Sequence, residues 1–130
     1  MEIMFESTKD FEKELTTFSK SERATIINHI NRYAQLFLTD KPALFRRLHR
    51  LYKANLINDY ESTLYSFRVS NSIRIILTVD EDPIFDQVIF TLFRVVRKPF
   101  ALQAYDEIAE SIYADFLAKE KQISVSMSRD

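Results

Sequence analysis

Apolar residues recur at helical spacing through the first 40 residues of the chain. Phe11, Leu15 and Phe18 stand at positions i, i+4 and i+7, which predicts a first helix over residues 8–18. Glu22 follows Ser19 at the spacing of a capping box, so a second helix is expected to begin almost at once. Because so short a turn separates the two helices, they are predicted to fold back as an antiparallel pair. The apolar stripe of the second helix consists of Ile26, Ile30, Tyr33 and Phe37.

The pattern changes to strand-like alternation in the second half of the chain. Three runs are rich in β-branched and aromatic residues: two alternate between apolar and polar positions, and the third is almost continuously apolar, as a central strand would be. A further short strand is expected near the N-terminus. The predicted strands are residues 3–7, 64–69, 73–79 and 88–96.

A final amphipathic helix completes the pattern. Pro99 ends the last strand, and apolar residues at helical spacing predict a helix from residue 100 to about 119. We therefore expect one α+β domain over residues 1–122, in which an N-terminal helical hairpin packs on a small twisted, mainly antiparallel β-sheet, with a C-terminal helix. Residues 123–130 are expected to form a flexible tail.

The segment between the helical hairpin and the first of these three strands is amphipathic and basic. A helix is predicted over residues 43–53, because leucines recur along one side and cations along another at i, i+4 and i+7. Residues 54–62 are predicted to be a loop. The leucines are Leu44, Leu48 and Leu51, and the cations are Arg46, Arg50 and Lys53.

Matching the apolar faces of two alternating strands sets the register of a predicted hairpin. Pairing Phe67 with Ile75 puts both apolar sets on one face, and a slip of one residue would turn one set to the wrong side. Val69 then pairs with Ile73 and Tyr65 with Leu77. This register leaves a three-residue loop, in which Asn71 or Ser72 is expected to take the left-handed conformation usually given to glycine.

The same register sets Arg68 opposite Arg74 on the other face of the hairpin. Like charges directly opposite on a sheet are destabilising, so an anion is expected nearby. Two readings stay open at this point. The anion is either an internal carboxylate, from Glu61 or Asp86, or an external phosphate or acidic partner.

Composition narrows the chemistry. The chain has no glycine and no cysteine, which excludes glycine-rich phosphate loops, disulfides and thiolate-bound metals. Two histidines and no long apolar run speak against a histidine-rich metal site and a membrane span. Residues 41–53 carry five positive charges and no acid, although the net charge is −1. A local anionic ligand, such as nucleic acid or an acidic protein segment, or a solvated helix face would each explain this segment.

The order of these motifs resembles the RelE/ParE toxin superfamily of bacterial type II toxin–antitoxin systems, and most closely its RelE-type mRNA interferases. The resemblance covers about residues 4–112, and Tyr105 is part of it. The motifs that carry it are Phe5-Glu-Ser-Thr-Lys-Asp-Phe-Glu-Lys13, Phe45-Arg-Arg-Leu-His49, Leu64-Tyr-Ser-Phe-Arg68-Val-Ser-Asn-Ser-Ile-Arg74-Ile-Ile-Leu77 and Phe93-Arg-Val-Val-Arg-Lys98.

Membership of this superfamily would imply a cytoplasmic bacterial toxin that inhibits growth. Members are small, metal-independent proteins that mostly cleave mRNA on the ribosome, and a cognate antitoxin neutralises them. The resemblance therefore implies an RNA-binding endoribonuclease, a hydrolase without cofactor or metal, and leaves a homodimer open. The alternative is a binding-only member, such as a DNA gyrase poison or a catalytically weakened toxin acting through protein contact.

The resemblance also implies site residues. Arg68 and Arg74 would hold the phosphate, Arg97 and Lys98 would supply basic groups at the end of the last strand, and Tyr105 would stack on a base or assist proton transfer. Two alternatives remain: His49 as a solvated surface group, and Tyr105 as part of a helix stripe. The residues that would grip the RNA backbone are Arg46, Arg47, His49, Arg50 and Lys53.

Overall fold

A computed structural model describes residues 1–51 and 63–127 of the chain. Within them five strands and four helices form, and a short 3-10 turn over Lys98–Phe100 leads into the last helix. In chain order the elements are β1 (Glu2–Ser7), α1 (Lys9–Thr16), α2 (Lys20–Thr39), α3 (Lys41–Arg47), β2 (Leu48–His49), β3 (Leu64–Arg68), β4 (Ile73–Asp82), β5 (Gln87–Arg97) and α4 (Ala101–Met127).

The strands form one mixed sheet in the order β1-β5-β4-β3-β2. Strands β2 to β5 are antiparallel to their neighbours, whereas β1 lies parallel to β5. The helical hairpin covers one face of the sheet and α4 covers part of the other. The predicted α+β architecture is therefore confirmed.

The two helices of the hairpin begin where their polar residues predict. The Thr8 hydroxyl accepts a hydrogen bond from the backbone N–H of Phe11 and caps α1. Ser19 and Glu22 form the complete capping box of α2. Each cap satisfies backbone N–H groups that the first helical turn leaves without partners.

The larger core lies between the helical hairpin and the sheet. Ile26 and Leu44, from α2 and α3, are fully buried against Ile75 and Val95 of the central strands. Apolar side chains from alternate positions of β3 and β4 enter this core, as do those of β5 apart from the irregularity between Leu92 and Val95, so alternation along the strands largely decides which residues face the helices. The residues between these positions face the other side of the sheet.

A second, smaller core lies under α4. Leu64, Ile76 and Val96 of the sheet pack against Ala104 and Tyr105 of that helix. The helix runs to Met127, beyond the predicted end near residue 119. Residues 123–127 of the expected tail are thus helical, and residues 128–130 lie outside the described part.

Two local predictions are wrong. The helix predicted over residues 43–53 ends at Arg47, because Leu48 and His49 instead pair with β3 as an edge strand. The loop of the β3–β4 hairpin contains no left-handed residue; of the described non-glycine residues only Asp86 has a positive φ, of 50°. Within that loop the Ser70 hydroxyl accepts a hydrogen bond from the Ser72 N–H at 3.3 Å.

Within the described residues, no helix is both long and apolar enough to cross a membrane.

Candidate nucleic-acid interface

The predicted register of the β3–β4 hairpin is confirmed. Phe67 pairs with Ile75, and Arg68 lies directly opposite Arg74. Phe67 and Ile75 belong to the core under the helical hairpin, so strand alternation turns the two arginines to the opposite face. Arg68 is exposed and Arg74 is half-buried. The structure thus places two cations side by side on the face that α1 and α2 do not cover.

Neutral oxygens accept all the hydrogen bonds recorded for this arginine pair. Arg68 donates to the side-chain oxygen of Asn71. Arg74 Nη1 donates to the carbonyl of Ser70 at 2.5 Å and to that of Ile73 at 3.1 Å. Among the described residues no carboxylate forms an ion pair with either arginine. Burial, and then the neighbouring charge of Arg68, lower the pKa of Arg74.

One of the two internal acids considered as a partner is excluded by its position. Asp86 lies in the β4–β5 turn, at the far end of the sheet, where its carboxylate is 3.4 Å from the amino group of Met1. Glu61 lies outside the described residues. Within the described part of the chain the arginine pair has no carboxylate partner, so Glu61 and an external anion both stay open as the counter-charge.

His49 lies on the same sheet face as the arginine pair. It is paired with Ser66 of β3, two residues from Arg68, and directly opposite residues share a face. His49 and Arg68 are therefore diagonal neighbours, whose Cα atoms lie roughly 7–8 Å apart in an antiparallel pair. The side chain of His49 is exposed. Sequence analysis placed His49 on a helix, and no local signal indicated that a two-residue strand would carry it to this face.

The cations of the basic connector line the same edge of the sheet. Arg46 is exposed at the end of α3. The guanidinium of Arg47 lies 5.7 Å from the ring centroid of Tyr33, and that of Arg50 lies 5.3 Å from the ring centroid of Tyr65. Stacking on an aromatic ring orients a guanidinium without neutralising it. Lys53, the fifth predicted contact, lies outside the described residues.

An open groove of about 490 Å³ runs beside the edge strand β2. Its lining combines aromatic and basic side chains, which suit the bases and the backbone of single-stranded nucleic acid. The residues that line it are Phe45, Leu48, His49, Arg50 and Tyr65.

Arg97 lies on the opposite sheet face from the arginine pair. It is paired with Ile73, whose side chain enters the larger core, and its guanidinium stacks 4.6 Å from the ring centroid of Phe18. Two of its nitrogens donate to the Glu22 carboxylate at 2.7 and 3.1 Å. That hydrogen bond, and then the Ser19 backbone N–H, lower the pKa of Glu22 to about 2. The structure thus gives Arg97 a carboxylate partner away from the pair.

The backbone of Lys98 is hydrogen-bonded to the loop of the β3–β4 hairpin, which carries Arg68 and Arg74. Its N–H donates to the carbonyl of Ser72 at 2.8 Å, and its side chain is exposed. Lys98 forms no ion pair with any described residue.

Tyr105 lies inside the smaller core. Its side chain is 4% exposed, and its hydroxyl donates a hydrogen bond to the Leu64 carbonyl at 2.8 Å. Burial is the main cause that raises the pKa of this phenol. The hydroxyl is engaged in joining α4 to β3, and a catalytic role for Tyr105 stays a prediction.

Sequence analysis missed a second arginine cluster, at Arg94. Its guanidinium donates to both carboxylate oxygens of Glu14, at 2.8 and 2.9 Å, and to Glu107 at 3.1 Å. Glu14 also accepts from the backbone N–H of Val95, beyond the point where β1 ends. Because two carboxylates surround Arg94, the adjoining cleft of about 590 Å³ offers no uncompensated cation at this position. We interpret this cluster as structural.

No group of three or more potential metal-ligating side chains occurs in residues 1–51 and 63–127.

Comparison with solved structures yields weak structural likenesses. A chain of the RelBE2 toxin–antitoxin complex from Mycobacterium tuberculosis is similar at 15% sequence identity and a TM-score of 0.46, with 75% of this chain and 100% of that chain covered. No protein-family model matches the sequence, and no curated protein matches it. A likeness this weak assigns neither a fold family nor an activity.

Proposed function

We propose that this chain is the toxin of a bacterial type II toxin–antitoxin system, and that it acts as a metal-independent endoribonuclease on mRNA, in association with the ribosome. A cognate antitoxin would neutralise it. The observation that carries the proposal is the pairing of Arg68 with Arg74 on the sheet face opposite the helical hairpin, with neutral hydrogen-bond acceptors and no carboxylate partner among the described residues. The motif resemblance described above supplies the class of reaction.

The arrangement suits cleavage by the neighbouring 2′-hydroxyl of RNA. His49 would take the proton of that hydroxyl, because it lies on the arginine face, is exposed and has an imidazole nitrogen that can accept a proton. Arg68 and Arg74 would bind the phosphate and stabilise the charge that builds up at its oxygens. Lys98 is the candidate acid for the leaving 5′-oxygen, because its backbone is held against the hairpin loop.

The groove along β2 supports a single-stranded substrate. Arg46, Arg47 and Arg50 would contact successive phosphates, while Tyr65 offers an aromatic ring beside His49. A duplex would not place its 2′-hydroxyl and phosphate in the in-line geometry that this cleavage requires, so flexible message segments are the expected substrate.

The decisive experiment maps cleavage directly. The purified chain is incubated with a defined mRNA in the presence of a chelator, with and without ribosomes, and RNA 5′ ends are mapped. His49→Ala and His29→Ala form a matched pair, because the latter removes the other histidine of the chain, which lies on α2. We expect native cleavage that survives chelation, is lost in His49→Ala and is retained in His29→Ala.

A binding-only toxin is the second candidate. This candidate is favoured because two of the five predicted catalytic residues have other contacts. Arg97 is ion-paired with Glu22, and the Tyr105 hydroxyl is hydrogen-bonded to a backbone carbonyl. Growth inhibition without any mapped RNA cleavage, together with trapped cleavage complexes in a DNA gyrase assay, would establish this candidate and reject the nuclease.

A further inference from the structure

Strand β1 forms the outer edge of the sheet at the end opposite to β2. It pairs with β5 on one side, and in the described part of the chain no strand pairs with its other side. The N–H groups of Glu2 and Thr8 donate to the Asp86 and Leu92 carbonyls, on the β5 side, at 3.0 and 3.1 Å. Because backbone groups alternate in direction along a strand, the N–H and C=O groups of Ile3, Phe5 and Ser7 face outward.

Of the features by which sheet proteins prevent unwanted pairing, this edge has only charged side chains, Glu2 and Glu6. Protected edges are short or bulged, or carry proline or charged residues, lysine above all. The six residues of β1 contain no proline and no positive charge, and their pairing with β5 is regular throughout. A regular open edge of this kind is a template for an added strand.

The side chains of β1 combine acidic and apolar character. Glu2 and Glu6 flank Met4 on one face, where Met4 is 41% exposed. Phe5 is 43% exposed on the other face. Neither glutamate forms an ion pair with a described residue. Two unpaired acids and two exposed apolar side chains therefore lie along the open edge.

The β4–β5 turn extends the apolar surface beyond the start of β1. Ile84 is 84% exposed and Phe85 is 72% exposed. Both backbone N–H groups donate to the Asp82 carboxylate, at 3.0 and 3.3 Å, so the turn holds these side chains outward. The contacts of Asp86 with Met1 and Glu2 tie the turn to the first residues of β1.

We propose that the outer edge of β1 binds a basic, apolar segment of a partner protein, which adds to the sheet as a sixth strand. Cross-strand pairing defines its chemistry. Residues opposite Glu2 and Glu6 are Lys or Arg, and the three residues between them, opposite Ile3, Met4 and Phe5, are apolar. The partner therefore carries a cation, three apolar residues and a second cation in sequence. This inference does not depend on ribonuclease activity.

Charge argues against a second copy of the same strand as the occupant. Antiparallel pairing of two copies about Met4 would set Glu2 of one copy opposite Glu6 of the other at both ends. Like charges directly opposite are destabilising, whereas opposite charges in the same positions are favourable.

The test measures the binding of a synthetic peptide, acetyl-Thr-Lys-Val-Ile-Val-Lys-Thr-amide, to the whole chain by fluorescence anisotropy. In an antiparallel complex the two valines lie opposite Ile3 and Phe5, and their N–H groups point at β1. We expect saturable binding that weakens at least about tenfold when both valines are N-methylated, because two backbone hydrogen bonds to β1 are lost. Equal binding of the N-methylated peptide would overturn the proposal.

Two pairs of protein variants complete the test. Phe5→Pro removes an outward N–H that Phe5→Ala keeps, while both remove the ring, so only the proline variant should lose the peptide. The double variant Glu2→Lys with Glu6→Lys should also lose it. Glu110→Lys with Asp115→Lys, an equal charge change at exposed α4 positions, should not.

Each outcome of these variants decides for or against the proposal. Should Phe5→Pro fail to fold, the N-methylated peptide on the native chain still decides. Concentration-dependent dimerisation that only Phe5→Pro abolishes would make a second copy the occupant and overturn the basic partner. Equal loss of the peptide in both lysine pairs would reduce its binding to overall charge and overturn the proposal as well.

Discussion

The two edges of the sheet are opposites in chemistry. The β2 edge is two residues long and is surrounded by cations and a histidine, with Arg68 one strand inward and Arg74 two strands inward. The β1 edge is six residues long, carries two glutamates, and adjoins an acidic turn with exposed apolar side chains. A net charge of −1 conceals this polarity. One edge is suited to a phosphate backbone and the other to a protein strand, so a nucleic acid and a partner protein could be bound without competition.

The largest expected effect lies at the basic side. Removing a charged donor that stabilises a transition state typically costs on the order of 10²–10³ in rate. Arg74→Ala should therefore lose at least about a hundredfold in RNA cleavage, measured by single-turnover kinetics. Its melting temperature should equal or exceed the native one, because the repulsion from Arg68 is relieved. Arg32→Ala, at an exposed α2 position, serves as the control.

Loss of activity in Arg74→Ala through unfolding would identify Arg74 as structural and remove the functional contrast between the edges. Full activity in a folded Arg74→Ala protein would show that the arginine pair is not the phosphate site.

The next largest effect concerns RNA binding along β2. Reversing Arg46, Arg47 and Arg50 to Glu should abolish measurable RNA binding at physiological salt. For the neutral triple alanine variant, the slope of log affinity against log salt should fall by about two, since each single-strand phosphate contact contributes about 0.7. Equal charge reversals at Lys20, Arg23 and Arg32 are the control, because these residues are exposed on α2. An unchanged slope would place the RNA elsewhere.

A smaller effect tests whether α4 supports the basic edge only structurally. Tyr105→Phe removes the hydrogen bond to the buried Leu64 carbonyl and should cost about 1–3 kcal/mol of unfolding free energy. Denaturant unfolding measures it, with Tyr113→Phe, half-buried on the same helix, as control. Cleavage per folded molecule should stay native. A selective loss of cleavage with unchanged stability would instead assign Tyr105 to catalysis.

The smallest effect concerns pH and the ion pair between α2 and β5. The hydrogen bond from Arg97 holds the pKa of Glu22 at about 2, below its ordinary value of 4.5. A carboxylate with a lowered pKa stabilises the fold fully above its unfolded value and loses that contribution as pH falls toward the folded one. The difference in melting temperature between the native chain and Glu22→Gln should be constant above about pH 5 and shrink between pH 4.5 and 2. A difference that persists unchanged at pH 2 would contradict this assignment.

The register of the sheet was predictable where the apolar faces of two neighbouring strands could be matched in the sequence. Tyr65, Phe67 and Val69 are separated by the polar Ser66 and Arg68, and their β4 partners stand at every second position, so a single register buries both sets and the Arg68–Arg74 pairing follows. The register of β5 was less accessible. Its pairing with β4 shifts between Ile76 and Leu77, and a nearly continuous apolar run does not reveal such a shift.

The connector shows why a local pattern can mislead. Leu44, Leu48 and Leu51 fit a helical stripe, yet Leu48 reaches the larger core from a strand. The position of His49 depends on pairing with Ser66, 17 residues away in the sequence, and no helical or strand period within the connector encodes that contact. The part of the candidate site built on the hairpin was therefore predictable, and the part brought to it by β2 was not.

The parallel pairing of β1 with β5 has a consequence for biosynthesis. Glu2 is paired with Gln87, so the first strand has no neighbour in the sheet until most of the chain has been made. At about 5–20 residues per second, a ribosome needs roughly 4–17 s to add the intervening segment. A nascent chain in that interval lacks the strand β5 that orders β1 as the edge of the sheet. Cotranslational recognition of the β1 edge by a partner would therefore begin only after the last strand has left the exit tunnel.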